Sequence, residues 1–211
     1  MNNKHIKIDS LEVEKLNIVD KNGNVKLSLF NNDHIPPGIM NNKVFLNHRK
    51  NDPCSGLMFY NNDGDEVGGL IYGNEVDEEG NYQAIASLTF DQYKQDQVVQ
   101  MHYTDHNGDK QYGFSVYDRP STPLPEMIEK HKEIQNKVMD EKNKEEEIEN
   151  LWSGNVERAF MGKSKNGDVS VKLMDRNGNP RIRLAIDEFD VPCMEFLDEK
   201  GNVIYKLPPE L

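Results

Sequence analysis

The segment VSVKLMDRNGNPRIRLAI, residues 169–186, holds two stretches of alternating apolar residues joined by a short polar turn. Apolar side chains stand at every second position from Val169 to Leu173 and again from Ile182 to Ile186. A period of two is typical of a strand with one apolar and one polar face. Between the stretches, Asp175–Asn179 reads DRNGN, and Asn, Asp and Gly tolerate the positive φ angles that a tight reversal requires. The segment therefore predicts an antiparallel hairpin.

The same glycine-centred polar cluster recurs along the whole chain. Its turn glycines are separated by 41, 44, 59, 11 and 23 residues, and all but the third gap lie close to multiples of about eleven, which is roughly one strand with its turn. We therefore predict an all-β fold, mainly an antiparallel meander of repeated hairpins, with apolar faces toward a core and polar faces toward water. The six clusters are Asp20–Asn24, Asn61–Asp65, Asp105–Asp109, Ser164–Asp168, Asp175–Asn179 and Asp198–Asn202.

The 59-residue gap contains one charged helical insertion, residues 124–152. Of the 25 residues from Glu126 to Asn150, 14 are Asp, Glu or Lys, and good helix formers dominate. Apolar residues keep a three-or-four spacing near both ends, but Glu141 and Glu145 interrupt it. We expect a helix or a bent helical pair whose ends rest on the sheet while its centre bulges into solvent; the alternative is a coiled coil or a helix that binds a protein partner.

These signals divide the chain into three regions of one structural unit. An N-terminal and central β-hairpin region covers residues 1–123, the helical insertion covers 124–152, and a C-terminal β-hairpin region covers 153–211. A single sheet with one apolar face is not stable alone, so that face must meet a second sheet, the helical insertion or another copy of the chain. Strand edges also favour self-association, and we expect a homo-oligomer.

Composition restricts the classes of partner. The 211 residues include 37 acidic and 25 basic side chains, a formal net charge of −12, and we find no local basic patch. Such a charge repels nucleic-acid phosphates and anionic lipids, so we expect neither nucleic-acid nor membrane binding. Residues 1–10 lack the apolar core of a signal peptide and no apolar stretch is long enough to span a bilayer, so we expect a cytoplasmic protein.

The sequence predicts no metal and no cofactor. The turn clusters resemble the start of a calcium-binding EF-hand loop, but such a loop needs Gly at position six and Glu at position twelve, and neither is present. Cys54 and Cys193 lie far apart in sequence and are expected as small buried apolar groups, with a disulfide or a reactive thiol as the alternative. The six histidines do not fall in a metal-binding spacing, and His102 and His106 are expected at the surface.

The polar run FDQYKQDQ, residues 90–97, is the first place to look for a ligand pocket. It lacks Gly and Pro and is not an obvious turn, so we expect a solvated strand end or a protected sheet edge. In a strand, Asp91 and Asp96 would point to opposite faces about 17 Å apart, which argues against their acting as a catalytic pair. Gln92, Tyr93 and Gln97 are candidate hydrogen-bonding partners of a polar ligand.

The segment from Gly56 to Gly73, GLMFYNNDGDEVGGLIYG, differs in kind because Gly68-Gly69 directly follows a turn. Two adjacent glycines at this place indicate close backbone packing, with a bulge or a ligand as the alternatives. Tyr60 and Tyr72 are candidates for lining a groove, although aromatic residues in strands usually pack across neighbouring strands.

Four stretches together resemble a group of small bacterial proteins with no assigned function. They are Gly56–Gly73, Phe90–Val99, Asp118–Pro120 and the closing hairpin Leu197–Val203. The resemblance covers most of the chain outside the helical insertion, and it implies an all-β hairpin-repeat fold. It implies no activity, cofactor or catalytic residue.

Motifs for a nucleophile, a phosphate or a dinucleotide are missing; Ser115, for example, lacks the second glycine of a nucleophile elbow. We therefore expect a non-catalytic binding or assembly protein, and predict no catalytic residue. One alternative is a module that binds a carbohydrate or another small polar ligand, with the candidates Tyr60, Tyr72, Asp91, Gln92, Tyr93, Asp96 and Gln97. The other is an unrecognised hydrolase, which would require two carboxylates, or a carboxylate and a histidine, within about 10 Å in one pocket.

Overall fold

Fourteen strands and two α-helices form the described part of the chain, residues 5–41, 43–46, 49 and 52–209, in a computed structural model. A short 3-10 turn occupies Asn32–His34. The elements are β1 (Lys15–Val19), β2 (Val25–Phe30), β3 (Gly38–Met40), β4 (Lys43–Leu46), β5 (Cys54–Tyr60), β6 (Glu66–Val76), β7 (Tyr82–Asp91), β8 (Gln97–His106), β9 (Asp109–Asp118), α1 (Leu124–Asn136), α2 (Glu141–Trp152), β10 (Val156–Lys163), β11 (Val169–Met174), β12 (Pro180–Ile186), β13 (Pro192–Leu197) and β14 (Val203–Leu207).

Twelve of the strands form one antiparallel sheet in which spatial neighbours are also neighbours along the chain. The strands β3 and β4 form a separate hairpin inside the connection from β2 to β5. Both helices lie between β9 and β10, which nevertheless pair directly with each other. This meander confirms the predicted all-β fold with one helical insertion, because successive antiparallel strands need only tight turns between them.

The turns show why Asp or Asn stands first in most of the clusters. In the turn 20–24, the Asp20 Oδ1 atom accepts hydrogen bonds from the backbone N–H groups of Asn22 and Asn24, at 2.8 and 3.0 Å. Gly23 then takes a φ of +87°. A short side-chain acceptor and a residue that tolerates positive φ together close the reversal. Two backbone bonds also close this turn, from Asp20 N–H to the Asn24 carbonyl oxygen and from Gly23 N–H to the Asp20 carbonyl oxygen, and the equivalent pair occurs in three turns outside the six clusters, at residues 77–81, 92–96 and 187–191.

The helical insertion is a bent pair, since α1 ends at Asn136 and α2 begins at Glu141. The indole Nε1 of Trp152 donates a 2.9 Å hydrogen bond to Nδ1 of His131 and joins the two helices. The N-cap of α2 is Asp140, whose side chain accepts from the backbone N–H of Asn143. The end of α2 therefore packs on α1, which differs from the expectation that both ends rest on the sheet.

The start of α1 is anchored on the turn between β7 and β8. The backbone N–H of Leu124 donates to the Lys94 carbonyl oxygen at 2.9 Å, and Met127 packs beside the side chain of Gln95. Gln95 also donates to the carbonyl oxygen of Thr122 at 2.8 Å. Its amide is fully enclosed, so the insertion is fixed at one end of the sheet.

The two faces of the sheet differ in chemistry, as the alternation predicts. Their exposure to solvent is the opposite of the expectation, because the polar face is covered and the apolar face is exposed. On the polar face, Ser115 is 0% exposed and Ser28, Ser170 and Glu195 are also buried. On the apolar face, Met101, Met161 and Leu184 are 54%, 57% and 53% exposed. Within one chain, the apolar side chains therefore do not meet a core over most of this sheet, and the expected contact of this face with another copy stays a prediction.

The reason lies in where the other elements pack. The connection between β2 and β5 folds over the polar face, where Phe30, Ile35, Cys54 and Met58 form a small buried cluster. Further along, Arg183 lies against Glu195, with 2.7 Å between guanidinium and carboxylate. Long side chains and this connection thus enclose the polar face, while the apolar face stays in contact with solvent.

Candidate functional site

A cavity of about 490 Å³ lies on the polar face of β5 to β8, beneath the connection from β2. Its floor is apolar and comes from Met58, Ile71 and Ile85. Its wall is polar and charged, and includes Arg49, Asp52, Glu66, Glu75, Ser87, Thr89, Asp91, Asp96, Gln97, Gln100 and His102. The volume is in the range of small-molecule sites.

Strand register brings the polar wall together. Asp91 is the last residue of β7 and pairs with Gln97, the first residue of β8. Two residues earlier on β7, Thr89 pairs with Gln100, and the alternation of strand side chains points these residues to one face. The wall is therefore built on paired strands and on the turn that joins them.

An ion pair closes one side of the cavity. The Arg49 guanidinium lies 2.7 Å from a carboxylate oxygen of Glu66, and both side chains are largely enclosed. On the opposite side, Arg119 donates a 2.7 Å hydrogen bond to the carbonyl oxygen of Gln97 and lies 4.0 Å from Asp96. Glu66 and Asp96 are thus each held by an arginine.

Asp91 lies among these groups without such a partner. In the described part of the chain, no side chain donates a hydrogen bond to its carboxyl group or forms an ion pair with it. Burial, followed by the negative charges of Glu66 and Asp96, raises the pKa of Asp91 to about 7 against the partial compensation of Arg49 and Arg119. The cavity therefore contains a carboxyl group that titrates near neutral pH.

His102 supplies a second unsatisfied polar group. Its Nδ1 atom is buried and has no hydrogen-bond partner among the described residues. Burial lowers the pKa of this imidazole, so the ring is neutral at pH 7. Beside it, Gln100 donates to the hydroxyl of Ser87 at 3.0 Å. The expected surface position is therefore wrong for His102, whereas His106 is exposed.

Three of the seven predicted ligand-binding residues line this cavity, namely Asp91, Asp96 and Gln97. The run 90–97 holds the end of β7, a hairpin turn with Lys94 at a φ of +59°, and the first residue of β8. A strand end is therefore present, but the alternative of a sheet edge is wrong, because both strands lie inside the sheet. Because the chain reverses there, the side chains of Asp91 and Asp96 reach one cavity instead of opposite faces.

The other four residues lie elsewhere. The Gln92 amide donates to the carbonyl oxygen of Pro120 at 3.0 Å, and the Tyr93 hydroxyl donates to Asp63 at 2.7 Å on the surface. Tyr72 projects from the apolar face. Tyr60 packs beside the buried cluster of the polar face, where burial raises its pKa to about 12. None of the four belongs to the cavity wall.

Eight of the eleven wall residues given above were not identified by sequence reasoning, among them Arg49, Glu66 and His102. Arg49 is brought to the cavity by a connection that folds back over the sheet, which no local pattern indicates. Glu66 and His102 are single polar residues in strands. The sequence did contain a signal for His102. It stands two residues from Gln100 on the same strand, so the two side chains share one face.

A second candidate site is the apolar face of the sheet. Directly paired residues form a row that crosses all twelve strands, and every member of it is apolar and at least partly exposed. In spatial order the row is Leu16, Leu29, Leu57, Leu70, Leu88, Met101, Phe114, Met161, Val171, Leu184, Met194 and Leu207. At about 4.8 Å between strands it spans roughly 50 Å.

The two cysteines are both free thiols, with Cys54 buried and Cys193 half-buried. Burial raises the pKa of the Cys54 thiol, which makes it less reactive.

Within the described residues, no three His, Cys, Asp or Glu side chains form a group that would hold a metal ion. No helix of the described chain has the length and apolarity needed to cross a membrane.

Comparison with models of known protein families finds none that matches the chain, and comparison with curated proteins finds no relative. The resemblance to a group of small bacterial hairpin-repeat proteins therefore stays a prediction.

Proposed function

We propose that this protein is a non-catalytic assembly protein whose copies associate through the apolar face of the twelve-stranded sheet. The observation that carries the proposal is the unbroken row of twelve apolar side chains, from Leu16 to Leu207, on a face that contacts solvent. A contiguous apolar surface of this extent is typical of an interaction site.

The accessible area supports the same conclusion. The chain exposes 14576 Å², whereas a compact monomer of 24.3 kDa exposes about 10,000 Å² on average. The exposed segment 5–14 contributes part of this excess, and the uncovered sheet face contributes another part. Obligate homodimers bury roughly 2,000 to 5,000 Å² in total, so covering this face supplies the area of a stable interface.

A second copy of the chain is the occupant that fits best. Only a partner with an equally wide apolar sheet covers all twelve strands at once. Another copy of the chain has such a sheet, because its apolar face is the same. Two sheets that pack face to face stand about 10 Å apart with their side chains interdigitated. The row carries no charged residue, so the net charge of −12 lies outside the proposed contact.

The helical insertion supports partner binding less well. Leu124, Met127 and Ile134 are buried, so the apolar side of α1 is already occupied within the chain. The indole of Trp152 is also occupied within the chain, because it donates a hydrogen bond to His131. The larger uncovered apolar surface belongs to the sheet.

Replacement of Met161 by lysine tests the proposal. Met161 stands in the middle of the row, and a charge there would have to be buried in the contact between copies, which is costly without a partner. We expect Met161→Lys to be smaller in solution than the unmodified protein, measured by light scattering after size exclusion, with the same far-ultraviolet circular dichroism.

The matched control is Val138→Lys, which introduces the same charge at an exposed apolar residue between α1 and α2. This variant should keep the size of the unmodified protein. If Met161→Lys and Leu184→Lys both keep that size, the apolar face is not the contact between copies and the proposal fails.

A further inference from the structure

We propose that the cavity on the polar face binds a small organic cation that carries a primary amine or a guanidinium group. This site lies on the opposite side of the sheet from the proposed assembly surface. The inference is therefore independent of whether the copies associate.

The charges of the wall favour a cation. Among the described residues, five carboxylates line the cavity, at Asp52, Glu66, Glu75, Asp91 and Asp96, against the guanidinium of Arg49. Arg119 lies just behind the wall and approaches Asp96 at 4.0 Å. With both arginines included, the surroundings remain negative, and a cleft with one sign of charge attracts a ligand of the opposite sign.

Asp91 marks the position of the cationic group. Burial and the carboxylates of Glu66 and Asp96 make ionisation of its half-buried side chain costly unless a further cation or hydrogen-bond donor faces it, because Arg49 and Arg119 offset this only in part. An ammonium or guanidinium group in the cavity supplies both the charge and the donors. The ligand thus satisfies a carboxyl group with which no side chain of the described residues is paired.

The rest of the wall suits a polar ligand with a short aliphatic chain. The buried Nδ1 atom of His102 is an acceptor in one tautomer of the neutral ring, and the Thr89 and Ser87 hydroxyls are further acceptors. Ile71 and Ile85 offer an apolar floor for methylene groups. A metal ion is disfavoured, because no three side chains among the described residues are placed to ligate one.

Binding of such a cation depends on the ionisation of Asp91. The groups that face Asp91 are Glu66 on β6, Arg49 in the connection, Asp96 in the β7–β8 turn and Arg119 after β9, with neutral His102 on the neighbouring strand β8. With a pKa of about 7, the ionised fraction falls roughly tenfold between about pH 8 and pH 6. The affinity for the cation should fall with it.

Isothermal titration of the full-length protein with spermidine and with agmatine, at about pH 8 and pH 6, tests the proposal. We expect at least one of these cations to bind saturably, about tenfold more weakly at about pH 6, where binding should release close to one proton because Asp91 is mostly protonated there. Asp91→Asn should lose at least tenfold in affinity. Glu145→Gln removes one negative charge on the exposed middle of α2 and should bind like the unmodified protein.

Two results would overturn the proposal. The first is that neither cation binds the unmodified protein, whether or not glucose, a neutral ligand of similar size, binds at this site. The second is that Asp91→Asn and Glu145→Gln bind equally well, which would mean general attraction to an acidic surface.

Discussion

At the scale of single residues, Asp91 is the clearest case of a group placed at a cost to stability. Its position at the end of β7 buries the carboxyl group between Glu66 and Asp96. Both neighbours are held by arginines, and Asp91 is not. A residue that costs stability in the free protein is typical of a site whose ligand offsets that cost.

The pH dependence of stability follows from the raised pKa of the Asp91 carboxyl group. The carboxyl group keeps its proton up to about pH 7 in the folded chain but loses it near its ordinary pKa of 3.8 in the unfolded chain. The folded state therefore binds more protons between these values, and its free energy of unfolding falls as pH rises from about 4 to 7.

Asp91→Asn removes this titration. We expect the variant to be more stable than the unmodified protein by about 2 to 4 kcal/mol at pH 8 and nearly equal to it at about pH 4. Urea unfolding at both pH values and at equal protein concentration measures the difference. A gap of the same size at both pH values would contradict the assigned pKa.

Gly68 shows a different constraint, one of backbone space. Its φ is +116°, and an added Cβ would lie 2.2 Å from the carbonyl oxygen of Thr89 on the neighbouring strand. The register between β5 and β6 also shifts between Met58 and Tyr60. The close backbone packing predicted at Gly68-Gly69 is therefore present, and so is the irregular strand pairing that was one of its alternatives.

Gly68→Ala should therefore lower the free energy of unfolding by about 2 to 4 kcal/mol, since strain at positive φ and overlap with a backbone oxygen add together. Gly201→Ala is the matched control, because its φ is +82° and an added Cβ meets nothing within 4 Å. It should cost only about 1 kcal/mol. Equal losses in chemical unfolding would show that the contact with Thr89 has no effect.

At the scale of elements, turn chemistry made most hairpins predictable. The turn 77–81 has the same chemistry, with Asp77 as acceptor and Gly80 at a φ of +85°, although it was not among the predicted clusters. Asp175–Asn179 combines a first-position carboxylate with a glycine at positive φ, and both signals stand in the sequence. The turn at 92–96 has neither: Gln92 stands first, and Lys94 takes the positive φ. Its reversal is fixed instead by packing, since Gln95 bonds to Thr122 before α1.

The same limit applies to the cavity. Asp91, Asp96 and Gln97 were identified because the run 90–97 is unusual in composition. The contribution of Arg49 depends on a connection that folds across the sheet, and such a non-local contact leaves no periodic signal. The cavity was therefore predictable at one wall only.

The helical insertion should be removable without loss of the sheet. Asp118 at the end of β9 pairs with Val156 at the start of β10, so a short turn can join the two strands. We expect replacement of residues 121–153 by a short Gly-Asn linker to keep the strand signal in circular dichroism and to keep association between copies. A monomer with an intact sheet would show instead that the insertion makes the contact.

At the scale of the whole molecule, the chain separates two surfaces on one sheet. One side is polar, partly covered and holds the cavity; the other is apolar and uncovered from Leu16 to Leu207. Alternation along each strand predicts both chemistries, but it does not say which face is covered, because that depends on how distant elements and other copies pack.

Sedimentation velocity of the unmodified protein at micromolar concentrations is the most direct test of assembly through the apolar face. We predict a species of at least twice the 24.3 kDa mass of one chain, which persists on dilution within that range. A single species of 24.3 kDa at every concentration would contradict it.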